Sequence, residues 1–528
     1  MVAAPGAASL RVMAVKQIVI LGGGTGGTMT ANRLRRRLDA GEAAIHVVDR
    51  DVRHVYQPGL LLVRFGLADA RRITRPRRRQ LRRGIRFHES EVAWVDLDAR
   101  TVALADGARL RYDALVVATG ARLQPEETDG LTGPGWNERT FTFYTPEGAT
   151  ALAGALRRFD RGRLVVNLVD MPIKCPVAPL EFAFLADWYL RRRGVRRDVE
   201  IAYVTPLDGA FTQPVASAAL ASLLTAKEIE LVTEFNAGEV DGAGGVLTSF
   251  DGRTVDFDLL VTVPLHGGAA YVARSPRLGD ALGFVPTKRD TLQTLADPSV
   301  FALGDAADVP TSKAGSVTHF EAEVLADNVV RHLAGATLDP AYDGHANCFV
   351  ETGFRKALLI DFNYATEPLP GRFPTAVGPL SLLHESVSQP PRQARAPVGL
   401  LARPAAGTRS PARRRADADG GQEGGDRTMT VATVETDAEG FLVDPRQWTP
   451  ELAEEIAREN GVPELTPAHW LVVNFMRERF LETGTAPTIR SLGKESGVSV
   501  RELYQLFPKG PAKLAAKIAG IPKPHGCM

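Results

Sequence analysis

A chain of 528 residues with a net charge of +1 is too long for one compact core and too neutral to be drawn as a whole onto nucleic acid or an anionic membrane. Hydrophobic residues at 44% and charged residues at 24% are ordinary for a water-soluble globular protein, so two to four domains are expected. No apolar run approaches the ~18 residues that span a bilayer. The N-terminus has no secretory pattern, and the three cysteines, Cys175, Cys348 and Cys527, are too few for a disulfide framework. A reducing cytoplasm is the expected compartment, and reactive roles are open to the thiols. The basic runs Arg77–Arg83 and Arg413–Arg415 read as solvated surface or linker.

In chain order, the first predicted strand is the β-branched run from Lys16 to Leu21. Gly22, Gly24 and Gly27 follow in GxGxxG spacing, and a helical pattern runs on to about Leu38. Gly22 permits the tight turn, Gly24 lets the backbone approach a pyrophosphate, and Gly27 lets the helix lie close to the strand, its N-terminus facing the phosphates. The second strand, Ala44 to Val48, ends at Asp49, 22 residues beyond Gly27, where a carboxylate can accept ribose hydroxyls. Two more buried strands end in short signatures: Tyr112 to Ala118, then Thr119-Gly120, and Phe301 to Leu303, then Gly304-Asp305. Both resemble the secondary FAD signatures of the pyridine-nucleotide–disulfide reductase superfamily. That resemblance puts the Asp305 carboxyl on the ribityl chain, a plain helix cap being the alternative. It also aims the helix from about Ala314 at the isoalloxazine, where its positive end favours reduced flavin.

In that superfamily a second glycine-rich turn holds NAD(P)H. Here the matching strand, Arg163 to Asp170, runs into Met171-Pro-Ile-Lys-Cys-Pro176 with no glycine, which disfavours a second dinucleotide. Cys175 stands between Lys174 and Pro176, just before a helix from Pro179 to about Arg193. The lysine and the helix N-terminus both favour a thiolate. Cys348 lies 173 residues further on, so the two can act together only if the fold joins them.

The segments KCPVAPLE around Cys175, TSKAGSVTHFEAE at 311–323 and NCFVETGFRKALLIDFNYATEPLPGRFP at 347–374 resemble the sulfide:quinone oxidoreductase family over about residues 15–387. The resemblance implies an α/β fold of two Rossmann-like domains with FAD. It implies that Cys175 and Cys348 flank the flavin as a disulfide or polysulfide bridge, that hydrosulfide attack leaves a persulfide on one of them, and that the other, Cys348, contacts the flavin. Some members of the family have a third cysteine soon after the ATG signature; this chain has none there, which points to a two-cysteine subgroup. Phe349 and Phe354 are candidates for a quinone pocket or ordinary core aromatics; Lys356 compensates charge near reduced flavin or is a surface lysine. No metal site is expected.

Residues 388–428 are rich in Pro, Ala, Arg and Gly and read as a linker. Beyond Met429, Thr449-Pro450 and Thr466-Pro467 are helix starts, the first helix ending before Gly461 and the second turning Leu471, Phe475 and Phe480 inward. Residues 488–507 have the shape of a helix-turn-helix, which by itself would suggest DNA binding. The chain then closes on a Gly/Pro-rich arm ending Gly-Cys527-Met. The whole of 429–528 resembles the DsrC/TusE sulfur carriers, a small, mainly α-helical domain. The resemblance makes Cys527 the persulfide-bearing thiol and sulfur-relay or sulfite-reductase-type proteins the partners. The second cysteine of full DsrC proteins falls at Ala516, so single-thiol relay is implied.

The expected organisation is therefore an FAD-binding first part at 14–125, a second Rossmann-like domain without NAD motif at 126–287, an FAD-binding return with the redox and quinone segment at 288–387, the linker, and the carrier at 429–528. The expected function is FAD-dependent oxidation of sulfide to sulfane sulfur with electrons passed to quinone, peripheral to the inner face of the cytoplasmic membrane. The alternative is a type II-like NADH:quinone oxidoreductase carrying a DNA-binding module. The missing glycine turn, the cysteines and the Gly-Cys-Met end all disfavour it, and no nucleic acid partner is expected.

The linker permits a further reading. Residues 388–403 accept codons that, shifted by one base, spell a basic, aromatic tail, Arg-Asn-His-Arg-Gly-Lys-Leu-Ala-Pro-Arg-Trp-Ala-Tyr-Trp-His. Residues 416–430, shifted alike, reach a stop overlapping the Met429 codon as ATGA behind a ribosome-binding AAGGAGGT. This is the pattern of two coupled genes joined by a frameshift near Ser386–Gln389, as against a true fusion that raises the carrier's effective concentration. Sequencing the DNA is expected to show that tail and ATGA in frame plus one; codons giving neither would leave a true fusion.

Overall fold

The computed structural model describes residues 14–69, 71–368, 371–373, 380–386, 435–437, 439–483, 486–508 and 510–523. The linker at 388–428, its proposed frameshift and Cys527 lie outside them. The described residues form two compact units, one up to Ser386 and one from Glu435 to Lys523.

The first unit is α/β. Its first sheet is parallel, in the order Val300–Ala302, Ala114–Val117, Lys16–Leu21, Ala43–Asp49, Ile85–Glu89. Ile18, Val19, Ile20 and Leu21 are all fully buried, as a strand covered on both faces requires. A second parallel sheet runs Thr140–Phe141, Leu259–Val263, Gly162–Leu168, Val199–Val204, Ile229–Val232. Each sheet carries a small antiparallel meander, at Val92–Arg111 and Ala237–Asp256, so the unit is two Rossmann-like halves. The chain crosses to the second half and returns, since Val300–Ala302 completes the first sheet. The antiparallel hairpin Ala346–Gly353/Lys356–Phe362 then closes over the helix Ala178–Arg193.

The glycine turn is built as its spacing demands. Gly22 has φ +92°, and a Cβ there would strike the Ala118 carbonyl; a Cβ on Gly27 would strike the Gly22 carbonyl. The helix Thr25–Arg37 can therefore start directly at the strand end. Gly26, a variable position of the motif, matters as well: its Cβ would lie 3.0 Å from Thr318 on the helix Gly315–Leu333, against which the first helix packs.

The second unit has its own core among the helices Pro450–Glu459, Pro467–Thr483, Ile489–Glu495, Val500–Leu506 and Pro511–Ile518. Thr449 caps the first of these through Leu452 N–H at 3.2 Å. At the second helix start, Thr466 Oγ1 bonds His469 Nδ1 at 2.7 Å. The helix-turn-helix shape is real, with Ser499 and Glu502 forming a capping box, and its Leu492 and Leu503 are wholly buried in the core. One expectation fails. Leu471 is 52% exposed, while His469, Val472, Val473 and Met476 face inward with Phe475 and Phe480 half-buried. The helix is apolar on several sides, so its composition did not single out the core face. The last helix runs into the buried run Ile518, Ala519, Ile521, held by Trp448 Nε1 donating to Ile518 O at 2.7 Å and Arg477 Nη1 to Ala519 O at 3.1 Å. Ala516, where full carriers have a second thiol, is fully buried.

Gly27→Ala is expected to destabilise the first unit by about 1–3 kcal/mol, because the new methyl would run into the Gly22 carbonyl and crowd the Ile20 side chain. Gly24→Ala, which meets nothing within 4 Å, should leave the unfolding midpoint unchanged. Thermal denaturation of the two variants checks the contrast.

Candidate active site

The turn at Gly22–Gly27 meets Asp49 as expected at the end of its strand. The Asp49 carboxylate accepts from Gly23 N–H at 2.6 Å and Asp51 N–H at 2.9 Å. Arg77 departs from the solvated reading of its basic run, which holds for the exposed Arg78, Arg79, Arg82 and Arg83. It is 5% exposed, donates Nε to Asp51 O at 2.7 Å, bonds the Gly23 carbonyl through Nη1, and stands 3.5 Å from Asp49. Backbone carbonyls and one carboxylate replace the water it gives up. The space in front of Gly24 is open, so the cradle that a Cβ would fill is present at the N-terminus of the helix Thr25–Arg37. Thr119 Oγ1 bonds Tyr271 Oη at 3.2 Å, and Gly120 and Gly304 take φ values of +68° and +65° that favour glycine. Cradle, acid and turns fit a dinucleotide.

Asp305 follows Gly304 in a 3-10 turn that leads toward the helix Gly315–Leu333. Burial pushes its carboxyl up, against the pull of Lys174 and Lys313. Gly304 N–H donates at 2.6 Å to Glu321, whose carboxyl burial raises to about 7. Lys313 is 5% exposed and donates to Ala307 O at 2.9 Å.

The loop carrying Cys175 is sewn to this turn. Cys175 N–H donates to Lys313 O at 2.7 Å, and Tyr144 Oη to Lys174 O at 2.9 Å. Cys175 has φ +52°, a strained backbone for a side-chain-bearing residue. Cys348 arrives on the strand Ala346–Gly353, its side chain inward with Ala346 and Val350. Two contacts fix that strand: Ser316 Oγ donates to Asn347 O at 2.5 Å, and Glu351 N–H to Glu181 Oε1 at 3.1 Å. The two thiols, both free, are near enough that Cys348 raises the Cys175 thiol. The fold thus joins residues 173 apart in sequence.

The expected thiolate is corrected. Burial pushes Cys175 well above the ordinary thiol range, Cys348 and Glu181 add to it, and the N–H of Ala178 at the helix start only partly offsets them. Lys174 does not supply the missing charge, since burial lowers its own affinity for a proton and its partner is Asp305. Burial likewise lifts Cys348 to about 12, with Glu181 and Asp361 contributing. Glu181, 3% exposed and raised well above the usual carboxylate range by burial and by Glu351, faces both cysteines. Sequence reasoning missed it. Its signal was a glutamate in an otherwise apolar first turn, APLEF.

The remaining predicted residues stand elsewhere. Phe349 is half-buried and points away from the Cys348 side of its strand. Phe354 is 48% exposed in the hairpin turn, with Lys227 over its ring at 5.8 Å. Lys356 pairs with Gly353 at that same tip, whereas Cys348 pairs with Ile360; its ammonium stands 3.3 Å from Glu385. Of its two readings, this ion pair favours the surface lysine. No helix among the described residues is long and apolar enough to cross a membrane.

A glycine cradle with its acid, a second Rossmann half without a glycine turn, and a buried cysteine pair together define a flavoprotein oxidoreductase of the disulfide-reductase type. Residues 16–166 match the pyridine nucleotide-disulphide oxidoreductase family and residues 428–528 the DsrC like protein family. Mitochondrial sulfide:quinone oxidoreductase of Mus musculus is 27% identical over 67% of this chain and 79% of its own length. Sulfurtransferase TusE of Escherichia coli (strain K12) is 50% identical over 18% of this chain and 93% of its own. The sulfide:quinone oxidoreductase of Aquifex aeolicus shares the fold, with a TM-score of 0.59 at 20% identity, covering 71% of this chain and 88% of that one. The chain carries a pyridine nucleotide-disulphide oxidoreductase domain with sulfide:quinone oxidoreductase homologues, and in its C-terminal part belongs to the DsrC/TusE family.

Glu321 gives this site a pH signature. Its folded proton affinity exceeds the unfolded value, so its contribution is complete below the unfolded pKa near 4.5 and is lost as pH rises through about 7. Glu321→Gln, which keeps an acceptor for Gly304 N–H, is therefore expected to gain stability relative to wild type by up to about 3 kcal/mol between pH 5 and pH 8. Urea unfolding at the two pH values measures it.

Proposed function

We propose that the first unit oxidises sulfide to sulfane sulfur with FAD as cofactor and quinone as electron acceptor, and that the carrier unit receives the sulfur on Cys527. The observation that carries this reading is the enclosed Cys175–Cys348 pair, sewn to the Gly304–Asp305 turn by the Cys175–Lys313 bond. Gly22, Gly24, Gly27, Asp49, Thr119, Gly120, Gly304 and Asp305 would hold FAD, which when bound supplies a two-electron acceptor between the thiols and the quinone.

The sulfur steps balance on this chain's own groups. Hydrosulfide attack breaks a Cys175–Cys348 disulfide, forming one new S–S bond in a persulfide on Cys175 and releasing Cys348 as thiolate. The Cys527 thiolate attacks the outer persulfide sulfur, takes it over, and leaves Cys175 as thiolate. Rejoining the two thiolates as a disulfide gives up two electrons. The buried thiols are poor nucleophiles until deprotonated. Glu181, facing both, and Glu351, raised by burial to about 7, hold and return the protons. Reduction of a membrane-dissolved quinone would place the flavoprotein at the inner face of the cytoplasmic membrane, and sulfur-relay or sulfite-reductase-type proteins take the sulfur onward.

Anaerobic mixing of the FAD-loaded full chain with sulfide should bleach the flavin within the dead time of the quinone re-oxidation assay, and NADH should not. Bleaching by NADH alone would sink the reading. Cys175→Ala and Cys348→Ala are each expected to lose at least ~100-fold in bleaching rate. Mass spectrometry should find one added sulfur atom on the C-terminal peptide of the wild type and none in Cys175→Ala.

A further inference from the structure

Arg64 follows the helix Pro58–Val63 and is 2% exposed. Its Nε donates to Leu61 O at 2.8 Å, while both terminal nitrogens are buried without a hydrogen-bond acceptor among the described residues. The guanidinium carbon stands 3.7 Å from the ring centroid of Phe143 and 4.8 Å from that of Phe182. Aromatic faces return only part of the hydration that a buried guanidinium gives up. Phe182 adjoins Glu181, so the cation is docked on the helix turn whose carboxyl faces the cysteines.

The neighbouring groups come from several segments, including Tyr56, which faces Cys175 and Glu181, and Asp361, which faces Cys348. Tyr144 and Glu181 face Arg64. Glu351, on the strand that carries Cys348, faces Glu181 from the other side. Tyr144 and Glu181 both act on Cys175, as does Asp305, which Lys174 and Lys313 already balance. Burial raises the carboxyls of Glu181 and Glu351, the latter to about 7, and lowers the Arg64 guanidinium, which Glu181 and Tyr144 in turn support.

We propose that Arg64 is a positioning residue for the sulfur centre: its buried, unpaired guanidinium is the fixed counter-charge for anionic sulfur at Cys175 and Cys348, acting across Glu181 and Tyr144. A thiolate formed there, or a hydrosulfide entering, has the Arg64 guanidinium as a cation on this side of the interior. Without Arg64 the same anion stands uncompensated in a low-dielectric interior. The inference deepens the sulfur-centre reading above and rests on it only for the second of two readouts.

The first readout is the pH dependence of Cys175 alkylation by iodoacetamide in the reduced, FAD-loaded full chain, resolved by peptide mass spectrometry. The second is sulfide bleaching of the flavin. Arg64→Met is expected to raise the alkylation midpoint by about 1 pH unit and to slow bleaching below that midpoint; Arg64→Lys should restore most of both. If Arg64→Met fails to load FAD, Arg64→Gln is the second neutral replacement. An unchanged midpoint in a folded, FAD-loaded neutral variant overturns the proposal. So does an equal shift in Arg64→Lys, which would make the role one of shape. A shifted midpoint in a protein whose wild type is not bleached by sulfide supports Arg64 and removes the sulfide reading instead.

Discussion

The bond from Cys175 N–H to Lys313 O, 2.7 Å long, joins the two halves of the first unit where its chemistry is gathered. One partner follows a strand of the second Rossmann half, and the other precedes the helix Gly315–Leu333 of the first. From that seam the helix Ala178–Arg193 runs beneath the strand Ala346–Gly353, and Ser316 and Glu181 each take a backbone group of that strand. Cys348 is thereby held near Cys175. Loss of the seam would separate two thiols whose closeness is the basis of any joint reaction.

The price of this enclosure is electrostatic. Two thiols, two carboxyls, a tyrosine and an arginine share an interior that disfavours charge on each. Desolvation outweighs the helix N-terminus beside Cys175, which reverses the thiolate expected from the local sequence. A thiol kept protonated at rest is protected from unspecific oxidation and reacts only when charge around it changes. The carboxyls of Glu181 and Glu351, themselves raised by burial, are the groups through which such a change can pass.

The carrier unit follows a different logic. Its small core buries Val472, Val473, Met476, Leu503 and Phe507 and draws the last helix inward, so that Ile518, Ala519 and Ile521 have no exposure. Trp448 and Arg477 bind the carbonyls at the end of that helix. The last described residues of this unit are therefore anchored to its core.

The glycine spacing, the carboxylate ending the second strand, the ATG and GD signatures and the Thr-Pro helix starts were legible because each is set by neighbours a few residues away. Backbone sterics at Gly22 and Gly27 act over that range. The absence of a glycine after Leu168 could also be read directly. Three features could not be read locally. Cys175 and Cys348 meet only because the chain crosses to a second sheet and returns. Leu471 faces out because packing, not composition, selects the inner face of an evenly apolar helix. Arg77 and Arg64 look like solvent-seeking cations in sequence. Burial of Arg77 rests on carbonyls contributed from residues 23, 51 and 53, and burial of Arg64 on aromatic rings from residues 143 and 182. The sequence by itself determined which nucleotide turn and which carrier fold would form, since local sterics and capping decide them. Only the tertiary structure decided which thiols, carboxyls and cations share one interior, because desolvation and Coulomb forces depend on distance in space.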